Sequence, residues 1–329
     1  MISRGILFFV LLDVLGALYA FDKTTVLPKG VRSFQIKSVG VAITESFDSR
    51  ASRRSLGEPL EKKILVQDLL RQQSGPEQLL MRSALLGSFQ EEDVLGQYKT
   101  HMAANLRVTA SFFFYGWTEN LTLAAVFPYY SAKVHLGLGF SPSKTAQDLV
   151  NFLHEEKMNQ TEAARQLSLK LNHAVSQLEE KLEAKGYGKL GNWEEKGLGD
   201  ITLAAKYRFL NLAKLKMAST SGLICPTGRV KDPDLLVDIP FGSGSWSLFT
   251  NALFDQYMSP YIFMNEYLKY TYRFPAKRTV RLKEPGESLV DRKEELTLHS
   301  GGEIEAGLSL QVESPVGITG GVGFHRKRK

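Results

Sequence analysis

Cysteine is almost missing: Cys225 stands alone in 329 residues, so neither an intrachain disulfide framework nor a cysteine-based zinc site can form. Long apolar runs are equally scarce. The only one lies at the extreme N-terminus, and a helix that crosses a membrane needs ~20 apolar residues, so a helical multi-span membrane protein is excluded. Basic clusters are limited to Arg326-Lys327-Arg328-Lys329. The remaining charge, +6 formally, is spread along the chain and provides no nucleic-acid-binding stripe. With 43% hydrophobic and 23% charged residues, the chain is too apolar and too evenly balanced to be disordered or collagen-like.

Residues 1–20 have the form of an export signal. Arg4 precedes the apolar Ile6-Leu7-Phe8-Phe9-Val10-Leu11-Leu12, and small residues follow, ending at Ala20. Export without cysteine pairs points to a bacterial envelope. The remaining 21–329 then form one unit.

Within that unit, several stretches alternate apolar and polar residues with period two. In 199–209, Ile201, Leu203, Ala205, Tyr207 and Phe209 share one face, opposite Thr202, Lys206 and Arg208. In 303–312, Ile304, Ala306, Leu308, Leu310 and Val312 oppose Glu303, Glu305, Ser309 and Gln311. A third stretch sets Leu106, Val108, Ala110, Phe112 and Phe114 against Arg107, Thr109 and Ser111. Successive side chains point to opposite faces of a strand, so each stretch has one greasy and one wet side. Weaker candidates at 31–43, 121–134, 213–223, 245–254, 260–272 and 316–324 bring the count to about nine. Many exceed the usual 5–6 residues and match the ~9–11 needed to cross a bilayer at a tilt.

The connections carry more information. Segments 117–120, 210–212, 255–259 and 314–315 are short, whereas 44–100, 141–197, 226–244 and 273–300 are long, in strict alternation. A transmembrane barrel predicts this, with short periplasmic turns and long extracellular loops; a soluble sandwich does not sort its loops by length. Aromatic residues at strand ends, such as Trp117, Tyr129 and Tyr272, suit interfacial girdles. The fold expected is an all-β, antiparallel up-and-down transmembrane β-barrel of about 10–12 strands. Such barrels have even strand numbers, so the count of nine implies a missed strand or further strands beyond Lys329. Two of the long loops, 44–100 and 141–197, carry helical patterns: Leu149, Phe152, Leu153, Leu167, Leu171 and Leu178 recur at three- and four-residue steps. The pattern leaves open whether these helices cap the barrel, enter it or pair with each other.

With lipid outside, the polar parity faces the lumen. The pore-lining candidates are Arg107, Thr109, Ser111, Lys206, Arg208, Glu303, Glu305, Ser309 and Gln311. The parity blurs in 260–272, where Asn265 and Lys269 share one face and Glu266 lies on the other. No catalytic arrangement stands out. Gly242-Ser-Gly-Ser-Trp246 lacks the third glycine of a dinucleotide loop and the spacing of a nucleophile elbow. His154-Glu155-Glu156 lacks a second zinc-binding histidine, and nothing orients the pair His299-Ser300. The expectation is a protein without enzymatic activity, metal or cofactor.

The stretch Gly197-Leu-Gly-Asp200-Ile-Thr-Leu-Ala-Ala-Lys-Tyr-Arg-Phe209 resembles a recurring strand of the bacterial phenol meta-pathway, transporter-like outer-membrane family. So, in order, do Leu27-Pro-Lys-Gly30, Tyr115-Gly-Trp-Thr-Glu-Asn-Leu-Thr-Leu123 with Phe127-Pro-Tyr129, Pro226-Thr-Gly228 and Gly242-Ser-Gly-Ser-Trp246. The resemblance implies an outer-membrane barrel with a role in uptake of small hydrophobic or aromatic compounds, and it implies no particular functional residues. The partners expected are membrane lipid, the outer-membrane assembly machinery and a small-molecule solute, with no nucleic acid. The leading expectation is a passive channel or uptake route in the cell outer membrane; the alternative is a structural or adhesive barrel whose helical loops bind a partner.

Overall fold

Period-two alternation gives long antiparallel strands, because it lets each strand bury one face while the other meets a different environment. The computed structural model describes residues 23–47, 52–58, 61–71, 88–154, 168–169, 171–282, 292–313 and 319–328. The expected export segment at 1–20 lies outside them, as does much of the expected helical sequence at 72–87 and 155–167.

In chain order the strands are β1 (Arg32–Ile43), β2 (Glu45–Phe47), β3 (Arg53–Ser55), β4 (Lys63–Leu65), β5 (Val94–Gly116), β6 (Leu121–Pro142), β7 (Trp193–Leu198) and β8 (Ile201–Asn211). They continue as β9 (Leu215–Cys225), β10 (Ser247–Tyr257), β11 (Ile262–Arg273), β12 (Ala276–Arg281), β13 (Lys293–Leu298), β14 (Gly301–Glu313) and β15 (Thr319–Arg328). Among the described residues three helices interrupt them: α1 (Val66–Arg71), α2 (Lys144–His154) and α3 (Ala174–Ala184).

One sheet dominates, in the order β1-β5-β6-β8-β9-β10-β11-β14-β15, with β4 and β7 added beside β5 and β6. Its nine principal strands are the nine read from the sequence, and every neighbouring pair is antiparallel in an up-and-down path. The alternation of connections also holds. Turns at 117–120, 212–214 and 258–261 are short, five residues separate β14 from β15, and the connections at 44–93, 143–200, 226–246 and 274–300 are long. Among the described residues no ladder joins β1 to β15.

β5 and β6 run to 23 and 22 residues, twice the length of most of their neighbours and well past the span read from sequence. Their far halves support the helices. Val66 of α1 and Ala146 and Leu149 of α2 are buried with Leu95 of β5, so these two helices pair against the extended hairpin. The third helix docks beside them, where Tyr98 Oη donates to the carbonyl of Ala174 at 3.0 Å.

The two faces of the sheet differ. Outward stand Phe34, Ile36, Leu203, Tyr207, Phe209, Leu248, Leu268, Leu310, Val322 and Phe324, all exposed. The ladder register joins Leu203, Leu223, Leu248 and Tyr272 into one continuous outer row. The inner face encloses a cavity of about 460 Å3, to which all nine principal strands contribute side chains.

Candidate functional site

The cavity has a floor, a belt and a roof. The floor is a strap, residues 23–30, that crosses the short-turn end. Thr24 is fully buried there, and its backbone N–H and its hydroxyl both donate to the Asp255 carboxylate, at 2.9 and 2.6 Å. Asn265 Nδ2 donates to the other oxygen of Asp255 at 2.6 Å. Lys206 Nζ donates to the carbonyl of Lys23 at 2.9 Å, and the amide of Leu27 donates to Thr122 Oγ1 at 2.7 Å. Strands β6, β8 and β10 therefore hold the strap, and β11 braces the Asp255 carboxylate that it bonds. It leaves over Gly116, whose amide donates to the carbonyl of Val31 and whose carbonyl accepts from Gly30. A Cβ at Gly116 would collide with the carbonyl of Pro28, which explains a glycine at this crossing.

Above the floor runs a belt that only the register reveals. Thr122 faces Lys206, Lys206 faces Thr220, Thr220 faces Asn251, Asn251 faces Lys269, Lys269 faces Glu305, and Glu305 faces Lys327. All seven are polar and all line the cavity. One step further in, Glu303 accepts from Arg273 at 3.0 Å and from Lys327 at 2.9 Å, nearly buried between them. A carboxylate so enclosed is tolerated because charge-assisted hydrogen bonds replace its lost water. Aromatic rings and small aliphatic side chains share the rest of the wall. The Phe249 ring lies against Gly222, where any Cβ would meet it, and Lys269 stands 5.4 Å from the ring centroid.

The roof is the loop 226–246. Val237, Ile239 and Phe241 turn into the sheet and bury against Leu106, Val108, Tyr130 and Val134, with Phe241 stacked on Tyr130 at 5.3 Å. Full burial of such side chains stabilises by about 1.5–3 kcal/mol each. Arg229 pairs with the buried Asp238 and reaches the carbonyl of Ile239. Asp200 ties the loop to β8 by accepting from the amides of Gly228 and Ser243. A second knot lies outside the sheet, around Arg281. Its guanidinium donates to the carbonyls of Lys185, Gly186 and Pro233 and pairs with Asp234 at 2.7 Å. Lys293 reaches the same carboxylate at 2.5 Å. The hydrogen bond from Lys293 holds the Asp234 carboxyl below its usual range, and Arg281 adds to the shift against the effect of burial. The end of α3, the roof loop and the hairpin β12–β13 therefore meet at the Arg281–Asp234 pair.

The sequence-derived candidates divide among these sites. Lys206, Glu303 and Glu305 line the cavity. Ser309 and Gln311 are buried on the inner face nearer the short turns, with Gln311 Nε2 donating to Ser309 Oγ at 3.1 Å. Arg208 sits at the rim, its guanidinium near the carbonyl of Glu119. Arg107, Thr109 and Ser111 are elsewhere. Their parity on β5 is the outer one: Val108, Ala110 and Phe112 are buried inside, while Thr109 Oγ1 bonds Ser38 Oγ on the exposed side. The inward assignment of those three is corrected by the roof loop, which supplies an apolar interior beside β5 and so draws the apolar parity inward. Phe113 and Phe34 still furnish the outer face there, 4.8 Å apart. In β11, Asn265 and Lys269 face inward and Glu266 outward, beside Phe254 and Leu308. Thr24, Thr122, Thr220, Asn251, Asp255 and Lys327 were not legible as site residues. Counting across the strands from Lys206 is the only signal that would have found the belt members.

Among the described residues no group of three or more His, Cys, Asp or Glu side chains gathers in metal-binding geometry. No family model matches the chain. No curated protein matches it either. Among solved structures the chain is similar to an outer membrane channel from Pseudomonas putida F1, at 13% identity and a TM-score of 0.45, over 93% of this chain and 75% of that one.

Proposed function

We propose that this protein is a β-barrel of a bacterial outer membrane that passes small solutes passively through its interior. The observation that carries the reading is its inverted polarity. From β8 to β15 the sheet presents leucines, valines and aromatic rings outward and encloses lysines, glutamates, threonines and an asparagine, while β5 keeps its apolar parity inside against the roof loop. A water-exposed protein gains nothing from that arrangement, whereas a strand between lipid and a wet lumen requires it. In the bilayer the outer edges of β1 and β15 must find backbone partners, since an unpaired amide or carbonyl in hydrocarbon costs several kcal/mol. The strap and the roof loop stand at the two ends of the cavity, so passage requires one or both to move. Small hydrophobic or aromatic compounds are the solutes that the family resemblance suggests.

The test is reconstitution of the refolded protein, checked by heat-modifiable gel mobility, into planar bilayers. Discrete current steps are expected. Properly inserted protein that never conducts would remove the channel reading.

A further inference from the structure

We propose that the cavity selects small organic carboxylates over cations of the same size. This rests on the channel reading above and adds the class of solute. The belt joins Lys206, Lys269 and Lys327 to a single carboxylate, Glu305, across seven strands. Lys23, Lys37 and Arg273 bring the cationic groups lining the cavity to six, against the three carboxylates of Asp200, Glu303 and Glu305.

Each of the three carboxylates has donors or a cation of its own close by. Asp200 accepts two backbone amides of the roof, Glu303 is enclosed by Arg273 and Lys327, and Glu305 accepts from Tyr267 Oη at 3.1 Å with His325 Nδ1 3.7 Å away. The outward fields of the carboxylates are therefore offset locally, and the surplus is positive. Inside low-dielectric walls, a surplus of one sign concentrates ions of the other.

The walls decide the rest of the class. Lys37 lies 5.3 Å from the Phe112 ring centroid and Lys269 5.4 Å from that of Phe249, so two ammonium groups stand directly beside apolar surface. A solute that offers a carboxylate at one end and hydrocarbon at the other meets both.

Two measurements test this. In bilayers under a tenfold salt gradient, the reversal potential with potassium chloride, and then with potassium butanoate, should show anion preference. Lys269→Gln and Lys37→Gln together should lower the anion-to-cation permeability ratio severalfold. Separately, detergent-solubilised protein should broaden the carboxylate resonance of 13C-labelled butanoate but leave butylammonium sharp, and the double variant should lose the broadening. Cation preference, or equal broadening of the two probes, overturns the proposal. Absence of current with butanoate broadening retained overturns only the channel reading and leaves the carboxylate site standing.

Discussion

Thr24→Val is the most direct probe of the strap. The substitution keeps the shape of the side chain and removes the hydroxyl that donates to Asp255 at 2.6 Å, while the backbone donor at 2.9 Å remains. Asp255 is fully buried, so no water replaces the lost partner from outside. A hydrogen bond to a charged group contributes about 1.5–3 kcal/mol, and ~1.4 kcal/mol is a factor of ten, so the displaced form of the strap should gain about 10- to 150-fold in population. Nothing in the belt or the roof changes. The assay is single-channel recording of wild type and variant inserted in one orientation, with open probability as the readout. Alkylation of a cysteine placed at Thr25, a cavity-lining position in the strap, reports the same motion without current. Open probability and alkylation rate should rise together. If both stay at wild-type values in a variant with normal heat-modifiable mobility, the strap is not the barrier at this end and the argument fails.

Other outcomes follow from the same contacts. Gly116→Ala should mimic Thr24→Val, because its Cβ would displace Pro28 from the crossing, and the same recordings would show it. Arg281→Ala removes the donor that joins α3, the roof loop and β12–β13. Losing the charge-assisted hydrogen bond to the partly exposed Asp234 costs about 1.5–3 kcal/mol locally, and faster hydrogen exchange at Gly188, whose amide donates to the carbonyl of Asp234, would report it. Acid should act at the same point. The folded Asp234 titrates below its unfolded value near 3.9, so its contribution is complete above about pH 5 and is lost as pH falls through the lower folded value; Gly188 exchange, corrected for intrinsic rates, should rise only below about pH 4. Leu308→Arg places a charge on the outer face, where Leu308 is exposed beside Phe324. Near a bilayer midplane this costs about 2–4 kcal/mol, and the folded fraction in lipid vesicles should fall while folding in detergent micelles suffers less.

The amino-acid sequence alone specified the strands, their order along the chain and the alternation of short and long connections. Each of these depends on local chemistry: side chains alternate across a strand, and turn residues interrupt the alternation. It also placed Lys206, Glu303 and Glu305 on faces that line the cavity, because their strands separate polar from apolar residues cleanly. Only the tertiary structure decided which face of β5 looks inward. Its polar parity of Arg107, Thr109 and Ser111 ended outside, since a loop more than a hundred residues later brings Val237, Ile239 and Phe241 into the interior and makes that region apolar. The belt from Thr122 to Lys327 and the pairing of Thr24 with Asp255, 231 residues apart, likewise exist only once the sheet register and the path of the strap are set. Periodicity shows that a strand has two faces, but what each face meets is determined by residues far away in the chain.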